Sequence, residues 1–403
     1  MKRGIILVVL LLLTLTMTAQ MTVVSGTVVN SKSGEAIVGA SVTANGLSVV
    51  TNAEGFFVLK SDNAVQAITV SHIGFRSKSI TVNGQSADGL KISLVPTTIQ
   101  LREVLVVAED PRELVLSAIK KIPENYSLQQ ELYHCFYRET AMKRQHYISV
   151  AEGVVDMYKT SYKLSDRRDQ VAIRKGRRLV SPKQSDTLGV KVLGGPRVPV
   201  QLDIVKNSEM LLNYSELSNY TLTMEAPTTI ADRPQYVISL SPQEKIAYPL
   251  YFGKLYIDKE TLAFTRAELS LDMSDRQKAT EMMLVRKPAG VRFKPRELSL
   301  LIDYRRGADG LTRISYIRTI FRFNCDWRRR LFSTSFTAFC ELAVTSSTNR
   351  DIQPIQGRDS FDQRDAFFDK VDFFRDPTFW QDYNIIEPTE SLDRAIHRLM
   401  KKY

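Results

Sequence analysis

The chain has 403 residues, 43% of them hydrophobic and 25% charged, enough for two or three domains with cores of their own. Lysine and arginine number 55 against 44 acids, a net charge of +11, and there are three cysteines. This composition excludes a disulfide-stapled miniprotein and a collagen-like or disordered chain. With no apolar run of about 20 residues beyond the first few, it also excludes a multi-span helical membrane protein.

Residues 1–19 read as an export leader. Lys2 and Arg3 supply the positive start, Ile5 to Leu15 an apolar stretch interrupted only by Thr14, and Thr18-Ala19-Gln20 a small-residue cleavage point. No cysteine follows that point, which argues against a lipid anchor of the bacterial lipoprotein kind. The expected location is the periplasm, with outer-membrane association or secretion as variants, and that compartment argues against nucleic acid as a partner. Taking Lys2 and Arg3 from the 55 basic residues leaves 53 against 44 acids, a net charge of +9. Such an excess suits anionic headgroups, lipopolysaccharide or acidic glycans, and it equally describes a merely basic surface.

Residues 20–107 alternate with a period of two. Val24, Gly26, Val28 and Asn30 take one face, and Val23, Ser25, Thr27 and Val29 the other. Turn signals recur at roughly ten-residue spacing, as in a small all-β sandwich. In Thr51-Asn52-Ala53-Glu54-Gly55, Asn52 can bond back to the backbone and Gly55 can supply a positive φ. Gly39, before Ala40-Ser41-Val42, is expected to let a strand bend or approach another closely, and Gly74 beside Phe75 is of the same kind. The order of these motifs, with Val70-Ser71-His72-Ile73-Gly74-Phe75 and Leu101-Arg102-Glu103-Val104-Leu105-Val106 at the end, resembles the carboxypeptidase-like regulatory domain. That resemblance implies a seven-stranded prealbumin-like sandwich, as found at the front of many TonB-dependent outer-membrane receptors. It implies an exported, envelope-facing, non-catalytic module. In the receptors a plug and barrel follow the module, and in the carboxypeptidases a zinc peptidase domain stands before it; neither is read in this sequence, which puts both activities in doubt. His72 stands where family members more often carry an aromatic, and it reads as a strand residue.

Residues 108–130 form a linker helix, with Leu114, Ile119 and Ile122 on an apolar stripe, Leu116 nearby, and Pro123 and Asn125 at its end. Residues 131–347 then read as long strands joined by short turns, hence antiparallel neighbours in one large curved sheet with a few helices. Asp203 to Leu212 is predicted as a helix and Glu281 to Arg286 as a strand. The hairpin from Gly253 to Phe264 resembles the repeated hairpins of LolA-like and LolB-like lipoprotein carriers, which implies an open half-barrel that holds acyl chains. The two-part arrangement also resembles exported proteins of two-membrane bacteria. Residues 348–403 are an aromatic tail, with Phe361, Phe367-Phe368, Phe373-Phe374, Phe379-Trp380 and Tyr383. A final helix follows, capped by Thr389 and striped by Leu392, Ile396, Leu399 and Met400.

No catalytic or cofactor motif is present. His72, His134, His146 and His397 are scattered, without metal-ligand spacing, although His134 and His146 could face each other across a hairpin. Glu139 and Glu152 lie on adjacent predicted strands and offer a carboxylate pair for a hydrolase of cell-wall or glycan material. Cys135, Cys325 and Cys340 are an odd set, read as small buried residues, with a Cys325–Cys340 bridge as the alternative. The strongest binding feature is basic: Arg174, Lys175, Arg177 and Arg178, whose guanidinium forks suit phosphate or carboxylate. Strand alternation would put Arg174 and Gly176 on one face and Lys175 and Arg177 on the other, whereas a short loop would gather all of them. Phe368 and Phe374 are candidates for a lid over the mouth of the sheet. These six residues are the candidate ligand contacts, with a lipid or amphipathic ligand or an outer-membrane protein as the expected partner. A purely structural accessory subunit is the remaining alternative.

Overall fold

A computed structural model describes residues 21–97, 110–164, 168–183, 190–192, 194–244, 246–328, 332–362, 365–373 and 379–401. Residues 1–19, read as a leader, and the Leu101–Val106 pattern lie outside the described residues. The N-terminal unit contains β1 (Thr22–Asn30), β2 (Ser41–Ala44), β3 (Leu47–Val50), β4 (Phe56–Ser61), β5 (Ala67–Ser71), β6 (Lys78–Thr81) and β7 (Ala87–Leu94). They form two sheets, ordered β4-β1-β7 and β3-β2-β5-β6, which is the expected seven-stranded sandwich. Val24, Val42, Phe57, Leu59, Ile68 and Ile92 fill the space between the sheets. As the turn chemistry predicts, Asn52 Oδ1 accepts from the N–H groups of Glu54 and Phe56, and Gly55 has φ of 74°. Gly39 also has a positive φ of 73°, with no atom close to where a Cβ would stand. Of the two roles expected, a bend or a close approach, it is therefore the backbone conformation that uses this glycine.

The linker holds α1 (Pro111–Lys120) and α2 (Ile122–Asn125). Asp110 caps α1 by accepting from Arg112 N–H, and Leu114, Val115 and Ala118 are its buried residues. Ile119, Ile122 and Leu116 pack at the margin of the same core.

Next come β8 (Glu131–Lys143), β9 (His146–Lys159), β10 (Gln170–Val180), β11 (Lys191–Val192), α3 (Arg197–Gln201), α4 (Tyr214–Leu217), β12 (Tyr220–Ile230), β13 (Arg233–Pro242), β14 (Tyr251–Asp258) and β15 (Phe264–Leu271). The chain continues through α5 (Arg276–Met283), β16 (Leu284–Arg286), β17 (Val291–Arg306), β18 (Thr312–Trp327), β19 (Thr334–Thr348), β20 (Asp372–Phe373) and α6 (Glu390–Met400). One eleven-stranded sheet runs β12-β13-β14-β15-β17-β18-β19-β8-β9-β10-β20. Short turns make consecutive strands antiparallel, and the late strand β19 returns to pair with β8, joining the two meanders.

The inner face of the sheet carries one large core, closed by α1, by residues 197–217 and by α5. Two local expectations are corrected here. Residues 203–212 are not a helix: α3 and α4 flank a 3-10 turn, and Asp203 points inward instead. Residues 276–283 form α5 because Asp275 caps them, accepting from Gln277 and Lys278 N–H, so the strand there shortens to β16.

Asp203 is the centre of a buried polar cluster. Lys159 Nζ lies 2.7 Å from it, and the hydroxyls of Tyr162 and Tyr304 donate to it at 3.0 and 2.9 Å. Burial opposes its charge, but Lys159 and the donors outweigh burial and hold the carboxyl below its ordinary range. Lys206 makes the parallel pair with Asp169 at 2.6 Å. Asp203→Ala is expected to leave Lys159 only its longer 3.4 Å pair with Asp169 and to orphan two hydroxyls, costing about 3 kcal/mol, read as a lowered urea midpoint at unchanged m-value. A loss of under about 1 kcal/mol would mean that the cluster does not hold the inner core together.

Candidate functional site

The basic run lies on β10, next to the edge of the sheet. A bulge between Ile173 and Lys175 breaks simple alternation. Lys175 and Arg177 share the outer face, as alternation predicts, while Gly176 faces inward. Arg174 departs from the expectation. The bulge turns it to the outer face too, where it pairs with Asp156, four residues from Glu152 on β9.

Each of these cations meets a partner from the chain itself. Lys175 Nζ donates to Phe379 O at 2.8 Å and lies 4.2 Å from that ring's centre. Arg177 donates to Glu152 at 2.9 Å and stacks 4.9 Å from the centre of Trp380. Trp380 Nε1 donates to the same carboxylate at 3.1 Å, and Arg138 reaches it from β8 at 2.7 Å. Arg178 faces the other way, donates to Phe368 O, and lies 4.6 and 4.7 Å from the rings of Phe368 and Phe373. The structure therefore brings Arg178 and Phe368 together at the sheet edge and sets Arg174, Lys175 and Arg177 on the opposite face. Phe374 lies outside the described residues.

Glycines decide how closely the tail can approach. Gly153 and Gly176 are cross-strand partners on β9 and β10. A Cβ on Gly153 would stand 2.8 Å from Phe367 Cζ, and one on Gly176 would overlap Val371. The bare backbone is thus a slot for these two tail residues. Glycines in mid-strand were the available sequence signal, and it was missed.

Below the tail is a cleft of about 530 Å³. Ile148, Ala151, Val190, Ala338, Phe367 and Phe368 give it an apolar lining, and Lys191, Arg286, Asp365 and Asp369 border it. Glu139 projects into it from β8, accepting from Tyr137 Oη at 2.9 Å, while Gly195 N–H donates to Tyr137 Oη at 3.0 Å. Burial pushes the Glu139 carboxyl above its ordinary range. Burial, with the Glu139 charge second, pushes the Cys340 thiol up to about 12, which keeps it a poor nucleophile.

The other sequence candidates do not converge. Glu139 pairs in register with Ala151 while Glu152 pairs with Arg138, so the two carboxylates stand on opposite faces of the sheet. His134 bonds Asp156 at 2.7 Å, whereas His146 pairs in register with Lys143 at the turn. All three cysteines are buried and free; Thr319, not Cys325, stands opposite Cys340. Among the described residues no group of three or more His, Cys, Asp or Glu side chains is placed to hold a metal ion, and no helix is long and apolar enough to cross a membrane.

Residues 24–106 match the family model of the CarboxypepD_reg-like domain. No curated protein matches the chain. Among solved structures, a DUF1329 family protein from Desulfovibrio piger is 9% identical with a TM-score of 0.26, over 61% of this chain and 96% of that one. A domain from Vibrio parahaemolyticus described as outer membrane lipoprotein-sorting is 9% identical with a TM-score of 0.28, over 62% and 97%. A Bacteroides fragilis protein described as membrane-associated and of unknown function is 10% identical with a TM-score of 0.17, over 81% and 98%. Likenesses this distant carry no function across.

The raised Glu139 pKa has a signed consequence. A carboxyl raised on folding favours the folded state below its unfolded pKa, and that advantage is lost as pH rises through the folded value. Glu139→Gln, which cannot ionise, is therefore expected to gain in Tm over the parent as pH is raised from about 4 to about 8. A difference that stays flat or reverses across this range would show that Glu139 is not held against its charge.

Proposed function

We propose that the protein is a non-enzymatic binding or assembly protein of the bacterial envelope, acting in the periplasm or at the outer membrane. Its ligand is an acyl-bearing amphipathic molecule held in the cleft under the tail. The observation that carries this reading is the cleft itself: about 530 Å³, apolar within, and bordered by Lys191 and Arg286. An acyl chain gains about 0.8 kcal/mol for each buried CH₂, and because the bordering Asp365 and Asp369 are paired with Lys370 and Arg178, Lys191 and Arg286 are the border charges offered to an anionic headgroup. Phe368 lines the cleft and is clamped by Arg178, so it stands where a ligand would pass. The sandwich, as a regulatory-type module, is the surface offered to an outer-membrane protein partner.

The hydrolase reading loses its basis, because a catalytic carboxylate pair must share one pocket and Glu139 and Glu152 are separated by the sheet.

Native mass spectrometry of gently purified protein, followed by solvent extraction, tests the carrier reading. A reproducible acyl-bearing adduct is expected. Phe368→Ala is expected to weaken its retention by about tenfold, from roughly 1.5 kcal/mol of lost apolar contact, with Tm nearly unchanged. A clean apo mass from the parent chain would overturn the carrier reading. Equal losses of retention and Tm in the variant would assign Phe368 to packing alone.

A further inference from the structure

On the outer side of the large sheet, the sandwich and the sheet enclose a second cavity of about 290 Å³. Its rim is tied by Gly74 N–H donating to Thr229 O at 2.8 Å and by Ser77 N–H donating to Asp232 at 2.9 Å. Four guanidinium groups line it, Arg233, Arg266, Arg305 and Arg306, against two carboxylates, Asp258 and Asp303. Both carboxylates are already engaged: Asp258 by Arg233 at 2.6 Å and Asp303 by Arg266 at 2.9 Å. Glu260 and Glu268 pair with the same two arginines from beside the cavity, at 2.8 and 2.7 Å, and Arg306 is exposed, which leaves Arg305 as the guanidinium of interest.

Arg305 is the unusual one. It is largely buried on β17, and among the described residues it makes no ion pair. Its one hydrogen bond there goes to the hydroxyl of Ser48, on β3 of the sandwich. A guanidinium carries five N–H donors, so most of this fork is unused inside a walled space. Burial, and the nearby Arg313 charge after it, work against the Arg305 cation. His72, on the opposite wall, is pushed down to about 4 by burial and by Arg266, so it stays neutral and adds no competing charge.

We infer that this inter-domain cavity is a binding site for a phosphate-type oxyanion, with the Arg305 fork as its principal donor and the Ser48 hydroxyl beside it. The Arg305 guanidinium, which has no carboxylate partner among the described residues, and the exposed Arg306 that also lines the cavity suit a phosphate monoester, which carries about two negative charges at neutral pH. A fork of parallel N–H groups fits its oxygens, and clefts between domains are a preferred place for such sites. A water occupies about 30 Å³ of liquid, so the cavity has room for the phosphate and a small attached group. The phosphate can be carried by a soluble phosphosugar-like molecule or by a lipid headgroup. Because Ser48 and Arg305 come from different domains, an occupant would bridge them.

Calorimetry and Tm measurements with inorganic phosphate, against sodium chloride at equal ionic strength, test the site. Saturable binding with a Tm rise is expected, and Arg305→Met is expected to weaken it by at least about tenfold. Arg358→Met, which removes an exposed arginine outside the cavity lining, is expected to stay within about threefold of the parent. In the unmodified chain, phosphate should also slow phenylglyoxal modification of Arg305, mapped by peptide mass spectrometry, and leave the exposed Arg358 unaffected. That readout holds even if Arg305→Met fails to fold. Binding of glycerol 3-phosphate would assign a soluble source. Co-sedimentation with phosphatidic acid vesicles but not phosphatidylcholine vesicles, without a response to glycerol 3-phosphate beyond that to inorganic phosphate, would assign a headgroup. No phosphate effect beyond chloride, or an equal effect in Arg305→Met, or no protection of Arg305, would overturn the assignment.

Discussion

The buried carboxylate of Glu152 is the interaction on which the rest of the assembly depends. It stands near the middle of β9, 1% exposed, and a charge so placed is tolerable only when paired and hydrogen-bonded. Burial opposes its ionisation, yet Arg138 and Arg177 outweigh that and hold it below the ordinary range. Its third donor is Trp380, far along the chain. Satisfying one carboxylate thus brings three strands and the tail to one point.

From Trp380 the tail goes on to bind the sandwich. Lys60 Nζ donates to Trp380 O and Tyr383 O at 2.7 and 3.1 Å, and the Asn384 side-chain amide accepts from Lys60 N–H and donates to Lys60 O, both at 2.8 Å. Val50 of the sandwich shares an apolar cluster with Phe136, Tyr316 and Trp380. Thr389 then caps α6, which lays Leu392, Ile396 and Leu399 on Val150 and Leu179. The tail covers apolar surface that a sheet buried on one face only would leave wet. Its two-residue strand β20 also occupies part of the edge of β10, an edge that would otherwise be open to pairing with another chain.

The two cavities differ in chemistry because they lie on different faces. The cleft under the tail is apolar within, since inner-face residues of β8, β9 and β19 line it. The inter-domain cavity is cationic, since the outer face of β13 to β18 carries Arg233, Arg266 and Arg305 where no tail covers it. Acyl-type and oxyanion-type occupants would therefore not compete. The sandwich touches the second cavity and not the first, so only an oxyanion would act directly on how the two domains are held.

Local features were legible in the sequence wherever a short stretch decides them. Period-two alternation marked the strands, the Asn52–Gly55 turn bonded as its chemistry dictates, and Thr389 and the Leu392 stripe marked α6. The sandwich was legible for the same reason, since its turn residues lie within reach of the strands they join. Pairing at a distance was not. Nothing in Arg174 to Arg178 says that its partners are Phe379, Trp380, Phe368 and Phe373, because a cation on a strand looks alike whether water, a ligand or a remote aromatic receives it. The bulge that turns Arg174 exists only once β9 is paired. Glu139 and Glu152 look equivalent until register places them on opposite faces. Arg305 becomes an unpaired cation in a cavity only when a second domain closes over it. The sequence by itself determined most of the strands and their turns, because those choices are made by neighbouring residues, although residues 276–283 went to helix instead. Which charges are answered inside the protein, and which are left facing a cavity, only the tertiary structure decided, because that depends on groups brought together from hundreds of residues apart.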